Sequence, residues 1–158
     1  MTTHALRRFG VQNLSRWLTV AFFSGAFAVL IFHQGAAAML HSAGLTQNAA
    51  FSMKAVGPWG LPQVWSLAFW GGVWGVMLAM ALRRWDGPAL VVMATVFGAI
   101  FPTLVAWFVV APLHHQPMAG GFHVATMWIG PLLNGLWGLG TGIGLLLFGR
   151  AHLRGLRI

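Results

Sequence analysis

The sequence predicts an all-α fold: a polytopic membrane bundle of four transmembrane helices, built as two repeated helical hairpins. Three observations predict it. Of 158 residues, 58% are apolar and only 6% charged, whereas soluble domains carry about 25% charged residues. Four apolar runs are each long enough to cross a hydrocarbon core of about 30 Å at about 1.5 Å per residue. The basic residues collect in short clusters that a four-crossing chain would place on one side, which is the signature of membrane topology.

The elements follow in order. Residues 1–16 are polar and basic, with Arg7, Arg8 and Arg16. Leu6, Phe9, Leu14 and Trp17 suit the apolar face of a short helix lying at the membrane interface. The first crossing is expected over 17–40. Its basic lead and the small residues Ala36-Ala37-Ala38 resemble a secretory signal, but the run exceeds a signal core of about 7–15 residues, so it reads as a retained helix. A polar linker rich in breakers, His41 to Gly60, leads to the second crossing at 61–82. The turn Arg83-Arg84-Trp85-Asp86-Gly87-Pro88 opens the third at 89–113, with Pro88 suited to a helix start. A loop from His114 to His123 precedes the fourth, 124–148. The chain is a single bundle over 1–158.

Orientation follows from charge. Arg7, Arg8, Arg16, Arg83, Arg84, Arg150, Arg154 and Arg157 fall on one side of four crossings, and Lys54 alone on the other. The positive-inside rule makes the arginine side, with both termini, cytoplasmic. The net charge of +8 is therefore a topology and headgroup signal. Nucleic acid is not expected as a partner, because no polar segment interleaves basic and aromatic residues. The bilayer is. Cysteine is absent, which excludes disulfides and thiolate chemistry.

The halves look alike. Gly25-Ala26 and the run ending Met39-Leu40-His41 mirror Gly98-Ala99 and the run ending Pro112-Leu113-His114. Gly72-Val73-Trp74-Gly75 mirrors Gly135-Leu136-Trp137-Gly138. Two crossings per half give both the same orientation, related by an axis along the membrane normal.

Gly71 and Gly75, extended by Ala79, form one small-residue stripe; Gly138 and Gly142 form another. Such stripes let helix backbones approach in lipid. The expectation is that the second helix packs on the fourth within the chain, with a dimer seam as the competing use.

Histidines are the most suggestive polar residues. His33, His41, His114, His115 and His123 fall in the outer half, and neutral imidazole suits zinc, copper or haem iron. Their spacing matches no established ligand motif, so no cofactor is expected, with haem or a transition metal the alternative. His33 and Gln34 interrupt an apolar helix, and such residues face the bundle and find partners. Thr103, Ser66 and Asn134 are the expected partners, forming a polar clamp or a substrate site. Catalysis is not expected: Asp86, the only acid in the sequence, sits in a cytoplasmic turn, so neither paired acids nor an outer Ser-His-Asp triad can form. Pro102 and Pro131 fall inside the third and fourth helices, where each removes a backbone hydrogen bond. Trp17 and Trp85 suit an inner aromatic belt, and Trp59, Trp65 and Trp128 an outer one.

The strings Phe32-His33-Gln34-Gly35, Leu67-Ala68-Phe69-Trp70-Gly71-Gly72-Val73-Trp74-Gly75 and Phe101-Pro102-Thr103-Leu104-Val105-Ala106-Trp107-Phe108, with Pro62-Gln63, resemble a group of small uncharacterised proteobacterial membrane proteins. The resemblance spans most of the chain. It implies a bacterial inner membrane and brings no activity, ligand or site residue. The sequence-level reading is thus a non-enzymatic bundle, acting as a small subunit of a larger membrane complex or as a homo-oligomer. A small transporter with a site near His33 is the first alternative, and a haem- or metal-binding membrane protein the second.

Overall fold

The computed structural model of the chain describes residues 3–149, with side chains from Asn13 onward. The tail arginines Arg150, Arg154 and Arg157 lie outside the described residues, as do the side chains of Leu6, Phe9, Arg7 and Arg8. The chain is mostly helical. Four helices are long and apolar enough to cross a membrane: Asn13–Ser42, Gln63–Ala81, Gly87–Leu113 and Val124–Gly149. They are named α1 to α4, with α1 taken from Thr3. A two-stranded ribbon, β1 (Ala55–Val56) and β2 (Leu61–Pro62), lies between α1 and α2, pairing Ala55 with Pro62 and Val56 with Leu61.

The first element differs from expectation. Helix runs unbroken from Thr3 to Ala28, so among the described residues no separate short helix precedes the first long one. No proline or glycine pair interrupts that stretch, and a helix gains one backbone bond for every residue it continues. Trp17 does not join an inner aromatic belt. It is buried at 6% exposure and shares a core cluster with Ala21, Leu78, Leu82, Leu90 and Leu145. Its indole packs where the early part of α1, the end of α2, the start of α3 and the end of α4 converge.

The chain folds as two antiparallel hairpins. α1 lies against α2, α3 against α4, and the hairpins join chiefly through α1 and α4, while α2 and α3 barely meet. Glycine makes both seams. A methyl group on Gly25 would overlap the Gly71 carbonyl oxygen and lie 3.0 Å from the Gly75 Cα. A methyl on Gly98 would overlap the Asn134 carbonyl oxygen and lie 3.0 Å from the Gly138 Cα. Contact this close requires a residue without Cβ on each face.

These contacts correct the expected partners of the small-residue stripes. Gly71 and Gly75 face chiefly α1, and Gly138 and Gly142 face α3; α4 reaches the α2 stripe through the Trp137 indole, whose Nε1 would lie 3.3 Å from a methyl on Gly71. Loop length does not decide this, since the shortest connection, residues 82–86, joins α2 to α3, which barely meet; the close fit of Gly25 on α1 and Gly98 on α3 selects the partners. The seam between hairpins uses larger groups. Phe32 covers Gly140, and Ser24 lies over Gly144. The Trp137 Nε1–H donates to the Gly25 carbonyl oxygen at 2.9 Å, fully buried.

Among the described residues, three π-helical turns interrupt the helices: Val29–His33 in α1, Ala106–Val110 in α3 and Leu145–Gly149 at the end of α4. The second follows Pro102, whose missing N–H already breaks the regular ladder. In α4 the helix breaks at Trp128, between Val124–Met127 and Ile129–Gly144, just before Pro131. The loop between α3 and α4 contains a left-handed turn: Ala119, Gly120, Gly121 and Phe122 all have positive φ. Gly120 and Gly121 adopt it freely, and the buried Ala119 side chain holds it in place.

Candidate functional site

Polar side chains are scarce inside the bundle, so each buried one requires a partner. Among the described residues, three are buried outright: Gln34, Thr103 and Thr141. Thr141 bonds back to the Trp137 carbonyl oxygen at 2.9 Å, within its own helix. Thr103 accepts a hydrogen bond from Asn134 Nδ2 at 2.9 Å, tying α3 to α4.

Thr103 and Asn134 therefore serve each other and not His33, contrary to the sequence expectation. The reason is the hairpin architecture: α3 and α4 are direct neighbours, so their polar groups meet first. No hydrogen bond joins Ser66 to His33 either, among the described residues. The partner of His33 is the adjacent Gln34, whose Nε2 lies 3.2 Å from His33 Nδ1.

The local geometry depends on the π turn. The Gln34 N–H bonds to the Val29 carbonyl oxygen, five residues back. The wider turn shifts the helical register at the point where the two polar side chains fall. Such bulges recur at functional positions in helices. Gln34 Oε1 accepts the backbone N–H of Phe51 at 2.6 Å, linking positions seventeen residues apart. Phe51 has a φ of 52°, and this bond is one of the contacts that hold it there. Farther along, the Val64 N–H donates to Ser52 and the Gln63 N–H to Lys54, at 3.0 and 2.9 Å. The segment after α1 thus folds back down beside it, and α2 begins level with Gln34.

These bonds decide proton positions. Phe51 offers an N–H, so the group of Gln34 facing it is the oxygen. The amide NH2 then faces His33 and can only donate, because it has no lone pair to accept with. In the neutral imidazole, Nδ1 is the acceptor and Nε2 carries the proton. His41 has the opposite arrangement: its Nδ1 lies 3.0 Å from the Thr46 carbonyl oxygen, which only accepts, so Nδ1 carries the proton.

The other histidines considered as ligands, His114, His115 and His123, are exposed on the loop between α3 and α4. No group of three or more His, Cys, Asp or Glu side chains is placed to hold a metal ion, among the described residues. Asp86 stands at the start of α3, beside the Arg83-Arg84 turn. Leu82 shares a cluster with Trp17, which puts that turn about 24 Å along α1 from His33.

Two apolar grooves open on the outside of the bundle. One of about 460 Å³ lies between α1 and α4, lined by Phe23, Phe27, Ile31, Gly144 and Leu147. The other, about 290 Å³, lies between α1 and α2, lined by Phe22, Ala26, Leu30, Trp65 and Phe69. Neither includes His33. Comparison with known protein families, with curated proteins and with solved structures found no match.

The phenylalanine-Gln34 link is the feature that sequence reasoning missed. Gln34 stood out as a polar residue in an apolar run. A backbone N–H has no residue signature, so its partner in the segment between α1 and α2 left no trace in the sequence.

Proposed function

We propose that this chain is a multi-pass protein of a bacterial inner membrane, with both termini in the cytoplasm. It acts as a non-enzymatic helical scaffold, either a small subunit of a larger membrane complex or a homo-oligomer. The observation that carries this reading is the separation of its polar chemistry. The sole carboxylate of the sequence, Asp86, lies at one end of the bundle, and His33 and the loop histidines lie toward the other. Closely packed glycine seams occupy the space between. General acid–base work needs its groups within hydrogen-bond reach of one substrate, and this arrangement holds them apart.

The two hairpins are read as copies of one unit. Ala21 and Gly25 meet Gly71 and Gly75 in the same way as Ala94 and Gly98 meet Asn134 and Gly138. Because both stripes are used within the chain, an oligomer seam belongs on the aromatic outer faces of α1 to α4. Native purification in mild detergent or polymer discs, with mass measurement of everything bound, tests the proposal. A defined multimer or a stoichiometric partner is expected. A lone monomer under every mild condition would contradict it.

A second reading, a small transporter or permeation unit with a site near His33, draws support from one specific feature. The π turn at Val29–His33 and the buried Gln34 bond place an irregular, polar stretch inside an apolar helix. Discontinuous helices of this kind line substrate sites in transporters. Substrate-dependent flux in proteoliposomes, abolished by His33→Leu, is the corresponding test.

A further inference from the structure

We infer that His33 is a hydrogen-bond donor, through its Nε2–H, to a carbonyl oxygen carried by a membrane amphiphile at the outer edge of the bilayer. The inference rests on the membrane location proposed above and is independent of the subunit and transport readings.

Three observations carry it. First, the amide of Gln34 is oriented by the Phe51 N–H at 2.6 Å, so its NH2 faces His33 Nδ1 at 3.2 Å and fixes the proton on Nε2. Second, Gln34 is the only hydrogen-bond partner of His33 among the described residues, so Nε2–H is not used inside the protein. The ring is partly buried, and an N–H facing an apolar medium without an acceptor is costly. Third, the depth is defined. α2 has 19 residues, a rise of about 29 Å, which is the thickness of the hydrocarbon core itself. Its first residue, Gln63, therefore marks the outer edge of that core. The bonds from Val64 to Ser52 and from Phe51 to Gln34 bring His33 to the same level.

At that level the chemistry available to an N–H is the carbonyl oxygen. It has two sources there: the ester groups of phospholipids and the ring of a lipid-soluble quinone. Both accept one hydrogen bond from a neutral donor and need no metal. The fixed tautomer also argues against His33 as a metal or haem ligand. Nδ1 is occupied by Gln34, and Nε2 has no lone pair while it carries the proton.

Native mass spectrometry of the purified full chain tests this, with three probes offered separately: ester-linked phosphatidylethanolamine, its ether-linked analogue and a short-chain ubiquinone. Two variants accompany the native protein. His33→Leu removes the donor, and His33→Gln restores an N–H near the Nε2 position. The expected result is retention of the ester lipid over the ether analogue, about tenfold weaker in His33→Leu and recovered in His33→Gln. The same pattern with ubiquinone assigns the ring carbonyl as the source. Equal retention of ester and ether lipid together with no retention of ubiquinone, or retention unchanged in His33→Leu, overturns the inference.

Should His33→Leu fail to fold, nitrogen NMR of the native chain with labelled histidine gives an independent reading. A neutral ring protonated on Nε2, shifting when the retained probe is added, is expected. Protonation on Nδ1, or a ring that does not respond, overturns it. Fractionation controls separate the premise from the inference: a chain that leaves the membrane without detergent contradicts the location itself.

Discussion

At the scale of single residues, the fold depends on positions where a hydrogen atom replaces a side chain. Gly25 and Gly35 lie in the same helix and differ completely in surroundings. A methyl at Gly25 would overlap the Gly71 carbonyl oxygen, whereas a methyl at Gly35 meets nothing within 4 Å. Gly25→Ala should therefore cost about 1–3 kcal/mol through overpacking. Gly35→Ala should be neutral or stabilise by about 0.5–1 kcal/mol, because alanine loses less freedom on entering a helix. Thermal unfolding in detergent, read by loss of helicity, compares the pair directly. Asn134→Leu removes the donor to Thr103. Interhelical hydrogen bonds in membranes average about 0.6 kcal/mol, and the Thr103 hydroxyl can turn back to its own helix, so a loss of that small size is expected in the same assay.

At the scale of elements, the helix pairing shows what the sequence could and could not reveal. The four helices were legible because hydrophobic length is a property of each run taken alone. Their partners were not, since the stripes at Gly71 and Gly75 and at Gly138 and Gly142 suit any close neighbour. Which neighbour they meet is set by the facing small pairs Ala21 with Gly25 and Ala94 with Gly98, whose alanines hide them from a search for glycine pairs. The segment between α1 and α2 shows the same limit. Its glycines and Pro58 marked a loop, while its return along α1 rests on a bond from Gln34 to a backbone amide. Gln34→Leu should free that segment. Hydrogen exchange at the Phe51 amide is expected to rise at least tenfold, with exchange in the middle of α3 and α4 unchanged. The hairpins themselves are joined by the indole of Trp137. Trp137→Phe keeps most of the packing but loses the buried bond to Gly25, at a cost of about 1 kcal/mol.

At the scale of the whole molecule, the account turns on lipid as the solvent. Large apolar side chains such as Phe27, Ile31, Leu113, Val124 and Leu147 are widely exposed on the outer faces. In water such surfaces would drive association; in a bilayer they are the expected covering. The backbone fits that solvent, because each long helix satisfies most of its N–H and C=O groups internally. The sequence has no cysteine, so a single introduced thiol reports its own position without background. The most direct measurement places one cysteine at Lys54→Cys and another, in a separate variant, at Arg84→Cys. Each is then treated with a membrane-impermeant maleimide on intact spheroplasts. Labelling of the Lys54 position from outside, with the Arg84 position reached only after the membrane is opened, is the predicted result. Labelling of the Arg84 position in sealed spheroplasts would contradict four crossings with the arginines inside.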